Sequence, residues 1–258
     1  MQNVLNTLRA LEEVATRQPV GVADLARAME LPKSTVQRAL GTLHTAGWIK
    51  QSGATPTRWS LTTKALLVGR QATGELDLRD VAVPVMDELR RSVDETVHLA
   101  MPEGDRVVLV ERLETTQPVR IVLPLGQHLS GHASANGKAI LAARSPGDVE
   151  RYLAAGLTRY TDLTIHDPAA LRAELDAVRG RGYAVNLGEW REDVSAVAAP
   201  VLGPDGTPVG SVSINMPTSR CDRERLDTLG GHVRAAARKI SASLGHEAPG
   251  AAGAAGAS

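Results

Sequence analysis

The chain has 258 residues, of which 43% are hydrophobic and 22% charged, and its formal net charge is zero. No apolar run approaches the roughly 20 residues that a membrane-spanning helix needs. The single cysteine, Cys221, excludes an intrachain disulfide and a zinc site built on a cysteine cluster. The N-terminus carries Glu12 and Glu13 where a signal peptide would be apolar, so we predict a cytoplasmic protein without a membrane partner.

The charge is unevenly distributed along the chain. Residues 1–61 contain seven basic and four acidic side chains, a net charge of +3, and the remainder carries −3. A modest excess of this kind is consistent with a small basic module on an acidic body, which is one arrangement found in nucleic-acid-binding proteins.

The first 47 residues predict three helices. The apolar residues Val4, Leu8, Leu11 and Ala15 recur at helical spacing and predict an amphipathic first helix. A second helix is predicted over residues 22–29, with a turn at Leu31 and Pro32. A third is predicted over residues 33–46, ended by Gly47. We expect the second helix to turn Leu25 and Ala26 inward, and the third Val36, Leu40 and Leu43.

Two short strand-like runs follow, over residues 48–50 and 58–61, around a turn-forming stretch at 52–56. Three helices followed by a hairpin are typical of a winged helix-turn-helix. An ordinary three-helix bundle with a solvated polar face is the alternative.

If the third helix buries its apolar side, its opposite side carries short polar residues, one glutamine and one arginine. Such side chains suit base edges and phosphates in the major groove of double-stranded DNA. The predicted DNA-binding residues are Lys33, Ser34, Thr35, Gln37, Arg38 and Thr42 on the helix and Lys50 and Arg58 on the wing. Since one copy reads only a few base pairs, we expect a homodimer on two half-sites.

Residues 63–91 predict a helix that is interrupted near Gly74, which we interpret as a linker. Its apolar stripe is predicted to serve dimer packing, with a place in a core as the alternative, and consists of Leu66, Leu67, Leu78, Val81 and Val85. Downstream, strands are predicted over residues 96–101, 107–113, 119–123, 183–187, 196–202 and 209–216. Helices are predicted over 138–144, from 168 onward and over 226–244. This pattern indicates an α+β domain with a mainly antiparallel sheet.

The predicted organisation therefore has four parts. They are a winged helix-turn-helix over residues 1–61, a helical linker and dimer contact over 62–76, an α+β domain over 77–245, and a disordered Ala/Gly tail over 246–258.

Several motifs resemble the IclR family of bacterial regulators. They are the segment ADLARAMELPKSTVQR from residue 23, LRDVAVP from 78, DETVHL from 94, HASANGKA from 132 and VAAPV from 197. The resemblance implies a GAF-like effector domain, dimers that often pair into tetramers as dimers of dimers, and a repressor or activator. It further implies that a small metabolite sets the affinity for operator DNA.

The resemblance also implies an effector site. The loop against which the family's ligand lies corresponds to Ser130, Gly131, His132, Ala133, Ser134, Ala135 and Asn136. Ser213 and Asn215 stand where well-studied members have two serines. Asn186 stands at an acidic position of the family and Ala196 where a cysteine is frequent, and Asp193 replaces a usual glycine. Losing a carboxylate and a thiol favours an effector larger or less anionic than a small oxoacid.

Other chemistry is weakly indicated. His98, His128, His132 and His166 lack the spacing of zinc ligands, and no nucleophile elbow, phosphate loop or dinucleotide fingerprint is present, so we predict no catalysis, no metal and no cofactor. His132 is either an effector ligand or a structural histidine. A metabolite-processing protein with a vestigial helix-turn-helix and a constitutive regulator with a drifted pocket are the remaining alternatives.

Overall fold

The structure, a computed structural model, describes residues 2–53, 56–72 and 76–246, with the backbone alone for residues 66, 69–72, 76–77 and 223. The Cα positions divide into two compact units with the boundary between Leu76 and Asp77. The tip of the predicted wing, the interruption at Gly74 and the tail from residue 247 lie outside the described residues.

The first unit confirms the three helices and the hairpin. Its elements are α1 (Gln2–Arg17), α2 (Val22–Met29), α3 (Lys33–Thr45), β1 (Ile49–Gln51), β2 (Trp59–Leu61) and α4 (Thr63–Ala72). The two strands pair antiparallel, with Ile49 opposite Leu61. The core between the helices includes the predicted Leu25, Val36 and Leu40.

The turn between α2 and α3 is set by local chemistry. Glu30 adopts a left-handed conformation with φ 54°, and the N–H of Leu31 donates to the carbonyl of Ala26 at 3.0 Å, which ends α2. Pro32 then stands directly before the first turn of α3, where it cannot extend the preceding helix. Gly47, with φ 75°, follows the end of α3 as predicted.

The helix predicted for α1 is present, but the apolar stripe that predicted it is not the side that meets the core. The helix buries Asn6, Ala10 and Val14, whereas Val4 and Leu8 are 62% and 51% exposed. Leu11 is half-buried and Ala15 is exposed. The large apolar residues of α1 do not mark its buried side, because the stripe that packs against the core includes the small Ala10.

The second unit is an α+β domain built on one six-stranded sheet. Its elements are α5 (Leu76–Val93), β3 (Thr96–Glu103), β4 (Arg106–Leu113), β5 (His128–Ser130), α6 (Ala135–Ala143), α7 (Pro146–Ala154), α8 (Pro168–Arg181), β6 (Ala184–Leu187), β7 (Val194–Leu202), β8 (Pro208–Pro217) and α9 (Leu226–Ser243). The strand order is β5-β4-β3-β8-β7-β6, and each neighbouring pair is antiparallel. The predicted sheet type is confirmed.

Helices cover both faces of the sheet. Because successive residues of a strand point to opposite sides, one strand contributes to two cores. Val197 and Ala199 of β7 pack with α5 and α9, while Ala196 and Ala198 pack with α6, α7 and α8. Leu78 and Val85 of the predicted dimer stripe belong to the first of these cores, so the core alternative holds for them. Leu67 is 59% exposed, and the side chain of Leu66 lies outside the described part.

Residues 119–123 form no strand, contrary to prediction. Ile121 and Leu123 are buried and Val119 is 64% exposed. The alternating apolar residues therefore mark buried side chains in a segment that is not hydrogen-bonded into the sheet. The edge of β4 pairs with β5 instead, with Leu129 opposite Val107. The sequence prediction also missed α7, although Ser145 caps it by accepting from the N–H of Asp148. In the described part of the chain, no helix is long and apolar enough to cross a bilayer.

Candidate DNA-binding surface and effector pocket

The outward side of α3 is an exposed polar surface. Lys33, Ser34, Gln37, Arg38 and Thr42 are exposed, and Thr35 is half-buried. Within the described residues, the side chains of Lys33, Gln37 and Arg38 make no hydrogen bond or ion pair. Charged and amide groups left unpaired on one helix face are available to an external partner.

The two predicted wing cations differ in their surroundings. Lys50 is exposed at the middle of β1. Arg58 donates through Nη1 to the carbonyl of Pro19 at 3.2 Å, and its backbone N–H donates to Ser52 Oγ at 3.0 Å. Arg58 therefore also braces the base of the hairpin.

A further cation that the sequence prediction missed lies at the C-terminal end of α3. Lys64 Nζ donates to the carbonyl of Ala46 at 2.8 Å and lies 5.4 Å from the centroid of the Trp48 ring. A cation there complements the negative end of the helix dipole.

The second unit contains a cavity between α6 and the sheet. It is lined by Leu123, Leu129, Ser134, Ala135, Asn136, Asn186, Trp190, Val194, Ala196 and Asn215. Six of the residues predicted for the effector site meet here, namely Ser134, Ala135, Asn136, Asn186, Ala196 and Asn215. The volume of the cavity is only about 10 Å³, which is the space of about one water molecule. An organic ligand thus requires a wall to move.

The polar lining of this cavity is uncharged. Asn136 and Asn215 donate to Ser211 Oγ at 3.0 Å and to Ser213 Oγ at 2.8 Å, which leaves their carbonyl oxygens free within the described part. Asn186 accepts from the N–H of Glu189 at 2.8 Å, which leaves its NH₂ group free in the same sense. The cavity offers hydrogen-bond donors and acceptors together.

Two family models match the sequence along this architecture. The IclR helix-turn-helix domain matches residues 3–53, and the C-terminal domain of the bacterial transcriptional regulator IclR matches residues 70–242. The chain belongs to the IclR family of transcriptional regulators.

Known relatives agree with this membership. The Escherichia coli HTH-type transcriptional regulator KdgR is 32% identical over 247 residues, covering 95% of this chain and 94% of its own length. The Thermotoga maritima IclR structure is 26% identical with a TM-score of 0.81, covering 95% of this chain and 100% of its own. An IclR homologue from Microbacterium hydrocarbonoxydans, crystallised with 4-hydroxybenzoate, is 25% identical with a TM-score of 0.78, covering 94% and 98%.

This membership establishes the general function. The protein is an IclR-type DNA-binding transcriptional regulator with a C-terminal effector-binding domain, and not an enzyme.

We call residues 130–136 of the regulator the pocket loop. Hydrogen bonds within the protein hold its first part in place. His132 Nδ1 lies 2.7 Å from Tyr152 Oη, and Nε2 lies 2.9 Å from the carbonyl of Thr158, so Nε2 carries the proton and Nδ1 accepts. Burial lowers the pKa of His132. Neither ring nitrogen is left for an effector in this arrangement.

The cavity lining also excludes Ser130, Gly131, Ala133 and Ser213, and Ser213 Oγ accepts from the amide of Asn215. The N–H groups of residues 132, 133 and 134 bond to Tyr152 Oη, Ser130 Oγ and the Ser130 carbonyl. The N–H groups of Ala135 and Asn136, in the first turn of α6, have no acceptor within the described residues. These two amides are the open donors of the loop.

The sequence prediction missed Trp190 as a wall of the regulator's cavity. It follows Glu189, whose carboxylate bonds to the buried Lys138 at 2.6 and 2.7 Å. Thr164 Oγ1 also donates to the Glu189 carbonyl at 2.6 Å. One signal was in the sequence, since Lys138 lies in a helix of mostly apolar residues, where a cation needs a buried partner.

His98 is a second residue without an assigned role. It lies on β3 opposite Ser213, is completely buried, and neither ring nitrogen has a hydrogen-bond partner in the described part. Burial lowers its pKa to about 3, so the ring is neutral at physiological pH. No group of three histidine, cysteine, aspartate or glutamate side chains among the described residues is arranged to hold a metal ion.

Proposed function

We propose that α3 is the recognition helix and enters the major groove of operator DNA. The proposed contacts are Lys33, Ser34, Thr35, Gln37, Arg38 and Thr42, with Lys50 and Arg58 of the hairpin near the backbone or minor groove. The observation that supports this most directly is the unpaired state of Gln37 and Arg38 on an exposed helix face. Such groups bind base edges and phosphates without first breaking an internal contact.

The test starts from a duplex that the purified full-length protein selects from a randomised pool. Arg38→Ala and Gln37→Ala should each lower the affinity for that duplex by about tenfold. Arg151→Ala is the control, since Arg151 is an exposed arginine of α7 in the other unit, where it forms an ion pair with Asp148. If Arg38→Ala left affinity and sequence preference both intact, the assignment of the recognition helix would be wrong.

The effector proposed for the α6 cavity is larger or less anionic than a small oxoacid. No ionisable side chain is among the ten lining residues, and three carboxamides supply most of the polarity. The open N–H groups of Ala135 and Asn136 suit one carbonyl or carboxylate oxygen at the positive end of α6. Trp190 and Leu123 suit an apolar body. The homologue that holds 4-hydroxybenzoate binds a molecule of this general kind.

Thermal shift with defined compounds tests this proposal, because a ligand that binds the folded state must stabilise it. We expect benzoate, 4-hydroxybenzoate or 4-hydroxybenzamide to raise Tm more than glyoxylate or pyruvate at equal concentration. The Asn186→Leu variant should lose the response. A larger shift with glyoxylate would contradict the proposed chemistry. No shift with any compound in a broad metabolite library would favour a constitutive regulator.

The proposed assembly is a homodimer that places two recognition helices on two half-sites, with a tetramer as a dimer of dimers as the alternative. The effector would act by shifting the population between dimer geometries, and so the spacing of the two helices. Sedimentation of the protein with and without operator DNA decides between dimer and tetramer. Because bacterial operators lie in the cytoplasm, that is the proposed place of action.

A further inference from the structure

A polar cleft lies between α1 and α3, beside the outward face of the proposed recognition helix. It has a volume of about 220 Å³ and is lined by Asn3, Asn6, Thr7, Thr35, Arg38, Ala39 and Thr42. Six of these seven side chains are polar, and none is acidic. We call this feature the α1–α3 cleft.

Asn6 is the unusual member of the cleft. It is only 7% exposed and stands on the core-facing stripe of α1 with Ala10 and Val14, where an apolar residue is the usual choice. Its carbonyl oxygen accepts from Gln2 Nε2 at 3.2 Å, but its NH₂ group has no acceptor among the described residues. This NH₂ group is not sealed from solvent, because the buried side-chain atoms without a partner in the described part belong to Trp59 and His98. It can therefore donate to a group that enters the cleft.

The other donors of the cleft are open as well. The Arg38 guanidinium, the Asn3 amide and the Thr35 hydroxyl have no side-chain partner in the described part of the chain. Thr7 and Thr42 differ, because their hydroxyls donate back to the carbonyls of Asn3 at 2.8 Å and Arg38 at 3.0 Å. The cleft therefore presents four donors, one of them a cation, and no carboxylate. This combination matches an anion with several acceptor oxygens.

We propose that the α1–α3 cleft holds one phosphate of the operator backbone. The inference rests on the proposed function, because it places the DNA against the outward side of α3. It assigns Arg38, Thr35, Asn3 and Asn6 to the sugar-phosphate backbone and leaves base reading to neighbours such as Gln37. It also gives the polar residue in the core-facing stripe of α1 a role in binding.

Affinity and specificity distinguish a phosphate contact from a base contact. We expect Asn3→Ala and Asn6→Ala each to weaken binding about five- to tenfold, equally on the selected duplex and on a scrambled duplex. Arg38→Ala should weaken binding to both duplexes and reduce the slope of log affinity against log salt concentration by about 1. Thr16→Ala is the matched control on α1, since its hydroxyl donates to the Glu12 carbonyl and lies outside the cleft.

Single neutral phosphates make the test specific. A series of selected duplexes, each with one methylphosphonate, should contain a position at which wild-type affinity falls about tenfold. On the duplex modified at that position, Asn6→Ala should not lower the affinity further, because both changes remove the same interaction. Additive losses at every position would overturn the proposal.

The remaining outcomes are also decisive. If the wild-type protein selects no duplex, the proposed function is wrong, and the phosphate site that rests on it is overturned with it. If it binds specifically and both asparagine variants bind equally well, the phosphate site is wrong and the function stands. If the variants lose affinity and sedimentation shows that their oligomeric state has changed, the cleft contacts a second copy of the chain. That result also overturns the proposal. Circular dichroism confirms that each variant is folded.

Discussion

The ammonium group of Lys138 lies 2.6 Å and 2.7 Å from the two carboxylate oxygens of Glu189, and both side chains are buried. Glu174 is the next carboxylate, at 3.8 Å from the same nitrogen. Burial raises the pKa of Glu189, and the charge of Lys138 opposes that rise. The pair joins α6, whose first turn borders the cavity, to the segment that carries Trp190 on the cavity's other side.

Breaking this pair should be costly. Lys138→Met leaves Glu189 without its cation in a buried site, and we expect the free energy of unfolding to fall by about 3–5 kcal/mol. Urea unfolding followed by circular dichroism measures the change. Lys239→Met is the control, because Lys239 forms an exposed ion pair with Glu88 at 2.6 Å. This variant should not measurably change the free energy of unfolding. Equal effects of the two variants would contradict this account.

His98 should make stability depend on pH. Its pKa falls to about 3 in the folded protein because of burial, against about 6.5 for the unfolded chain. Between these values only the unfolded chain binds the proton. Stability is therefore complete above pH 6.5 and falls as pH decreases toward 3, by roughly 1.4 kcal/mol per pH unit.

The variant His98→Leu removes this contribution. The difference in free energy of unfolding between wild type and His98→Leu should change with pH below 6.5 and stay constant above it. His232→Gln, at an exposed position of α9, should follow the wild type across the range. A difference that does not vary with pH would show that His98 titrates normally.

Gly137 should tolerate no side chain. A Cβ there would lie 2.4 Å from the carbonyl oxygens of Ser130 and Gly131, which are backbone atoms of the pocket loop. Gly137→Ala should lower the free energy of unfolding by about 3 kcal/mol, because the loop must shift. Gly180→Ala in α8 meets nothing within 4 Å and should raise stability by up to about 1 kcal/mol. Thermal and urea unfolding compare the two, and similar effects would contradict the close approach.

The buried face of α1 predicts a contrast between two apolar residues. Val14 is completely buried, and Val14→Ala should lower the free energy of unfolding by roughly 2 kcal/mol. Leu8 is 51% exposed in the monomer, and Leu8→Ala should change it by less than about 0.5 kcal/mol. The measurement is made at a concentration where sedimentation shows monomer. A larger loss for Leu8 would restore the face expected from the sequence.

Local signals in the sequence determined the element order of the first unit and most of that of the second, where β5 and α7 were missed and residues 119–123 form no strand. The spacing of Val36, Leu40 and Leu43, the position of Pro32 and the glycine after α3 predicted the helix-turn-helix, because each acts within one or two helical turns. The helix predicted from residue 168 onward likewise has a local cap, because the side chain of Asp167 accepts from the N–H of Ala170. The family motifs brought Asn136, Asn186 and Asn215 together as candidate effector residues, and the structure places all three around one cavity.

Only the tertiary structure decided which surfaces are buried. Neighbours far away in the chain determine which face of α1 is buried and why residues 119–123 form no strand. They also place Leu78 and Val85 in a core. The same holds for Trp190 at the cavity and for the position of Asn6 in the α1–α3 cleft. The physical reason is that periodicity specifies a face relative to its own helix or strand. The side that meets the core is selected by packing between distant elements.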